Sequence, residues 1–114
     1  FGIHENAAVF GLPGNPVSSF MMFEMLVRPF ISAMMSFNWQ PEVQIFPLKE
    51  DFSRKSAERM ALIPVIITSD GCVRPVNYHG SAHITALAEA DGIITIPVGA
   101  LELKGGTLLT FRKI

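Results

Sequence analysis

Asn15 and Pro16, with Pro13, Gly14 and Ser18 around them, are the residues of this chain whose types and spacing first suggest chemistry. They lie in Val9-Phe10-Gly11-Leu12-Pro13-Gly14-Asn15-Pro16-Val17-Ser18, which reads as a buried strand ending in a stiff loop that opens into a helix. Asn15 is a good N-cap, and Pro16 suits the first helical position, where its missing N–H costs nothing. Gly14 lets the backbone turn, or lets a ligand approach closely. Free N–H groups of Val17, Ser18 and Ser19 would then face outward at a helix start, where the dipole favours an anion. Two readings stay open: a phosphate or oxyanion cradle, and a well-capped turn that binds nothing.

Other constellations are thinner. His79 and His83 are four apart, but Gly80-Ser81 lies between them, so they do not form a helical zinc pair. His4 has no partner at ligand spacing, and no carboxylate pair is set up for acid–base work. Ser18, Ser19 and Ser81 lack the nucleophile-elbow context of a hydrolase. No metal site is expected within this chain.

The elements that must position these residues fall into two groups. Residues 1–37 carry a short apolar strand, Ala7 to Leu12, and a helix from Val17 to about Phe37. Glu24, Arg28, Ser32 and Ser36 recur every fourth residue as one polar stripe, with Glu24 placed to pair with Arg28. Nearly all other helix positions are apolar, which predicts burial inside something larger, and Pro29 predicts a kink. The Met-rich surface also suits a dimer contact. Residues 38–41 read as a linker, and 42–114 carry strand and turn signals.

In that second group Glu42 to Leu48 alternates, with Val43, Ile45 and Pro47 on one face. Arg59 to Thr68 is a long β run, and Ser69-Asp70-Gly71 predicts a hairpin into Cys72–Val76. A helix is expected from Ser81 to Glu89, then strands at Ile93–Pro97 and Thr107–Arg112, the latter after a Lys104-Gly105-Gly106 turn. This pattern predicts a small barrel or sandwich.

Bulk properties narrow the function classes. Of 114 residues, 49% are apolar and 17% charged, which predicts a folded chain rather than a disordered one. The net charge of −1, with no basic cluster, argues against nucleic acid and against electrostatic attachment to a membrane. No apolar run is expected to reach the roughly 20 residues that cross a bilayer. The lone Cys72 excludes an internal disulfide and fits a reducing, cytoplasmic setting. The chain opens on Phe1 just before an apolar strand, and we expect it to be the C-terminal fragment of a longer protein.

The string Gly11-Leu12-Pro13-Gly14-Asn15-Pro16-Val17-Ser18, followed by Leu26-Val27-Arg28-Pro29-Phe30, resembles the C-terminal part of the MoeA and gephyrin E-domain family of molybdopterin molybdenumtransferases. Gly80-Ser81-Ala82-His83-Ile84, the stretch Ala86 to Gly92 and Leu103-Lys104-Gly105-Gly106 continue the likeness in order. The resemblance implies a mixed α/β fragment: a strand-loop-helix remnant of an α/β (MogA-like) domain, then a small, mainly β, barrel-like C-terminal domain. It implies a parent enzyme that takes adenylylated molybdopterin and molybdate, uses Mg²⁺, inserts molybdenum and releases AMP. The parent is expected to be a homodimer whose metal-binding residues lie upstream, so the fragment alone is expected to be inactive. Arg59 falls on an arginine facing the active-site cleft, and Ser81 on a serine near it. Pro13 to Ser18 would hold phosphate or oxyanion at the helix start. The residues by themselves also allow Arg59 as an exposed strand arginine and Ser81 as a plain cap. An alternative from another class is a structural or protein-interaction β module.

Overall fold

The computed structural model describes residues 1–76 and 85–114, which divide into two compact units. The first comprises residues 1–40, and the second 41–76 with 85–114.

In the first unit β1 (Gly2–His4) and β2 (Ala7–Val9) form a two-stranded antiparallel ribbon, turned at Glu5 with φ 52°. The strand expected over Ala7 to Leu12 is therefore shorter. It is also not buried: Val9 is 54% exposed, and no residue of either strand of the ribbon is buried.

Helix α1 (Pro16–Met22) is followed by a π-helical turn, Phe23–Val27, and by α2 (Arg28–Met34). Pro29 was expected to kink or break the helix. Instead, the wider turn just upstream takes up the change of register, with the Arg28 N–H bonded to the Phe23 carbonyl. Such turns are a recognised way to absorb a disturbance of the i→i−4 ladder. The helix stops sooner than Phe37. Ser36 adopts φ 55°, and the N–H groups of Ser36 and Phe37 return to the carbonyls of Ala33 and Ser32. This is a Schellman closure with serine where glycine is usual.

The combined run Pro16–Met34 spans 19 residues and is, by length and composition, apolar enough to cross a membrane. The expectation that no run approaches that length therefore does not hold. Glu24 and Arg28 interrupt the run in the sequence, but two charges in 19 residues do not remove its apolar character.

The second unit is built on a five-stranded antiparallel sheet in the order β3-β9-β7-β5-β6. Its strands are β3 (Val43–Pro47), β5 (Ala61–Ile67), β6 (Val73–Pro75), β7 (Gly92–Ile96) and β9 (Leu108–Lys113). A short ribbon, β4 (Phe52–Ser53) with β8 (Glu102–Leu103), lies outside this sheet. Between β6 and β7 sits a single helical turn, α3 (Thr85–Ala88).

The sheet curls. Leu48, just past β3 at one edge, bridges Val73 of β6 at the other, and the Lys49 N–H donates to the Val73 carbonyl at 2.8 Å. Curling of this kind gives the inward residues one shared interior. Leu48, Val65, Val73, Ile94, Leu109 and Phe111 fill it, and Phe46 meets Phe111 edge-to-face at 5.2 Å. The packing is tight at β7: a Cβ added to Gly92 would lie 2.3 Å from the Phe111 ring and 2.5 Å from the Arg112 carbonyl oxygen.

Val43 and Ile45 do share a face, but it is the outer one, at 52% and 68% exposure. Phe46 and Leu48 carry the alternation that faces the core. Pro64 pairs with Ile93 of β7, and its carbonyl accepts from the Val76 N–H at 2.9 Å just past β6, so its missing N–H forgoes only the last bond of the β5–β6 ladder.

Candidate functional site

The loop before α1 is a cap that serves itself. The Asn15 Oδ1 accepts from the Val17 N–H at 3.0 Å and from the Ser18 N–H at 3.4 Å. The Ser19 N–H donates to the Asn15 carbonyl at 2.9 Å, and the Ser19 hydroxyl donates to the Pro13 carbonyl. The three N–H groups expected to be free for an anion are thus already satisfied within the helix start, as capping by asparagine does. Pro16 occupies the first turn. Gly14 has open space where a side chain would project and does not adopt positive φ, so its backbone is accessible without being strained.

Beside this loop lies an apolar recess of about 450 Å³, lined by Phe1, Phe10, Gly11, Leu12, Pro13, Met22, Leu26 and Phe30. Phe1, Phe10 and Phe30 form a ring cluster with centroids 5.0–5.7 Å apart. Such a lining suits apolar side chains and offers an oxyanion little.

On the helix behind the loop the polar stripe is split: Glu24 is buried, Ser32 half-buried, and Arg28 and Ser36 are exposed. Glu24 is 5% exposed and takes a two-pronged contact from the Arg28 Nη1, at 3.1 and 2.9 Å. The Arg28 guanidinium also lies 5.0 Å from the centre of the Trp39 ring, tying the segment after the helix to its middle. Conversely, Leu26 and Met34 are 56% and 68% exposed.

In the second unit, Arg59 stands just before β5, which begins at Ala61 rather than at Arg59. Its side chain is exposed, and among the described residues no hydrogen bond or ion pair engages its guanidinium. Ser81, His79 and His83 lie outside the described residues, as does the expected start of the helix at Ser81. His4 is exposed on β1. Among the described residues no three His, Cys, Asp or Glu side chains gather as a cation site would require.

Sequence reasoning overlooked Arg54. Its Nε donates to the Ala100 carbonyl at 2.6 Å, Nη1 to the Arg59 carbonyl at 2.7 Å and Nη2 to the Pro97 carbonyl at 2.8 Å. Within Ser53-Arg54-Lys55-Ser56 it reads as an ordinary surface charge, and no local signal sets it apart.

The Lys104-Gly105-Gly106 turn has a structural explanation. Asp51 accepts from the Gly105 N–H and from the Lys104 ammonium, both at 2.8 Å, and Gly106 takes φ 86°. Those two bonds hold the Asp51 carboxyl below its usual range.

The family model described as MoeA C-terminal region (domain IV) matches residues 47–113. The chain belongs to this family. The match spans the curled sheet from the last residue of β3 to the last residue of β9.

Among curated relatives, the molybdopterin molybdenumtransferase of Staphylococcus epidermidis RP62A is 29% identical over 89% of this chain and 25% of its own length. That of Staphylococcus aureus Mu50 is 31% identical over 86% of the chain and 24% of its own length. The chain thus spans about a quarter of the length of these relatives. Two solved molybdopterin biosynthesis MoeA structures from Pyrococcus horikoshii superpose with TM-scores of 0.75 and 0.73 at 20% and 25% identity. They cover 89% and 90% of this MoeA-family chain, and the chain covers 26% and 25% of theirs.

Proposed function

We propose that this chain is the C-terminal part of an enzyme that inserts molybdenum from molybdate into adenylylated molybdopterin and releases AMP. The observation that carries this reading is the domain IV match over residues 47–113, joined to relatives named molybdopterin molybdenumtransferase. Residues 1–37 would then be the strand-loop-helix end of a MogA-like α/β domain, 38–41 a linker and 42–114 the C-terminal domain. The parent would be a cytoplasmic homodimer.

Within it, Arg59 contacts anionic substrate. The exposed, unengaged guanidinium supports this role, since its planar fork of donors suits a tetrahedral oxyanion or phosphate. Ser81 is assigned the same neighbourhood on the resemblance of Gly80-Ser81 alone.

The role of the Pro13–Ser18 loop takes a narrower form. Because Asn15 consumes the Val17 and Ser18 N–H groups, the loop contributes an open backbone at Gly14 instead of a ready-made anion nest. Mg²⁺ is required by the parent but does not fit the described residues, which supply no cluster of carboxylates. Its ligands, and most of the catalytic groups, belong to the remaining three quarters of the parent, so the chain alone is inactive.

The test is Arg59→Glu in the full-length protein, with molybdenum insertion and thermal stability measured together. The expected outcome is loss of insertion with an unchanged melting temperature, because Arg59 is a surface residue. Unaltered turnover would overturn the role and favour a purely structural β module.

A further inference from the structure

We propose that Arg54 is a positioning residue for Arg59. Arg54 fixes the segment that ends in Arg59 against the turn between β7 and β8, and so sets where the Arg59 guanidinium is presented. This inference rests on the reading of Arg59 as an anion contact and deepens it.

The geometry is specific. Segment 54–60 joins β4 to β5 without regular structure, so its course is set by the bonds it makes at its ends and middle. At one end the Arg54 N–H donates to the Leu101 carbonyl at 3.0 Å, and in the middle the Ala57 carbonyl accepts from the Gly99 N–H at 2.8 Å. Apart from a Glu58 N–H to Ser56 hydroxyl bond within the segment, the Arg54 side chain supplies the other bonds, reaching Pro97 and Ala100 across the gap and Arg59 within its own segment.

All three guanidinium nitrogens are thereby engaged with backbone carbonyls, each at 2.6–2.8 Å. These are charge-assisted bonds to main chain, so they fix backbone position instead of pairing with a mobile side chain. Without Arg54, nothing else among the described residues engages the Arg59 carbonyl through a side chain.

Only arginine can do this. A guanidinium carries its donors in one rigid plane spread over several ångströms, whereas a lysine ammonium is a single point that cannot reach three separated carbonyls. Because arginine stays charged at every physiological pH, the clamp does not open on titration. A displacement of about 1 Å at a binding group can cost on the order of 100-fold in turnover, so a clamp one residue removed from the substrate can act on the reaction.

The experiment is a double-mutant cycle in the full-length protein, reading kcat and KM for molybdate together with thermal stability. Arg54→Lys is expected to lower kcat/KM by about 10-fold or more. In an Arg59→Ala background it should cause no further loss, since the group it positions is gone. A merely structural Arg54 would give the same fractional loss in both backgrounds, and that result overturns the proposal, as does full activity of Arg54→Lys. If Arg59→Ala alone leaves kcat/KM unchanged, the anion-contact reading fails first, and the positioning role with it. Should Arg54→Lys not fold, Gly99→Ala is read in the same cycle. At φ 88° the added side chain strains the turn that presents Pro97 and Ala100, and the same non-additivity with Arg59→Ala is expected or the proposal fails.

Discussion

The two units solve the problem of apolar residues in opposite ways. In the second, Leu48, Val65, Val73 and Ile94 are 0–1% exposed, and the sheet curls around them until its edges meet. In the first, the helix buries a carboxylate, Glu24, while Leu26 and Met34 stand more than half exposed. Apolar area removed from water is the main favourable term in folding, at about 25 cal/mol per Å². The second unit collects that term within its own residues; the first leaves much of it uncollected and relies more on caps, an ion pair and a ring stack. Exposed apolar surface on this scale ordinarily marks a place where something else packs.

The sharpest way to break this comparison is to truncate one large side chain in each unit. Phe111→Ala empties the middle of the curled sheet and should cost about 3–5 kcal/mol. Leu26→Ala removes an exposed side chain and should stay within about 0.5 kcal/mol. Denaturant midpoints of the two variants measure the contrast directly. Similar losses would mean that the helix has a core of its own.

The ion pair comes next in size. Glu24→Gln keeps the shape of the side chain but removes the charge that Arg28 grips at 2.9 and 3.1 Å. Arg28 is 44% exposed along its side chain, so water screens part of the interaction and the cost falls well short of a fully buried pair. About 1–2 kcal/mol is expected, read as a lower melting temperature with the helical circular dichroism reduced. No change would show that the buried Glu24 carboxylate is incidental and that caps alone hold the helix.

The same contrast explains what could be read from the residues. Strand positions in the second unit were legible because β-branched runs and turn residues agree there: Ser69-Asp70-Gly71 does close β5 onto β6, with Gly71 at φ 76°. Its inner face was harder to read at β3, where Val43 and Ile45 look like core residues but Leu48 and Phe46 are the ones that pack. The parity of a strand is fixed by its partner's register, here Ile45 opposite Thr110, which a local window cannot contain. In the first unit periodicity found the polar stripe without fixing its side: Glu24 lies buried, as do Val17, Met21 and Val27, while Arg28 and Ser36 are exposed. Periodicity gives the angle between faces and not which face meets solvent. At the site, Asn15 was legible as a cap, but the same reasoning left free the N–H groups that a cap consumes. Arg54 was invisible because two of its three acceptors are backbone carbonyls more than forty residues away in the chain.

The smallest effect concerns pH, and it separates the units as well. Asp70, in the β5–β6 turn, accepts from the Lys49 ammonium and from the Thr68 hydroxyl, and these bonds lower its pKa to about 2. The reciprocal pull raises Lys49. Lys49 follows directly on Leu48, so this surface pair sits beside the bridge that joins the sheet's edges. A carboxyl lowered in the folded state adds stability that is complete above its unfolded value and lost as pH falls through the folded one. The window runs from about pH 4, the ordinary aspartate value, down to about 2. Asp70→Asn should therefore flatten the acid limb of the second unit's stability between those limits while leaving the slope between about pH 5 and about 9, below the lysine range, unchanged. The helix of the first unit should keep its own pH dependence in that variant. Because both partners are exposed, the difference should shrink as salt is added and the pair is screened. A wild-type acid limb that Asp70→Asn does not alter, at low salt, would mean that the turn is held by Gly71 and its backbone bonds without help from the charge.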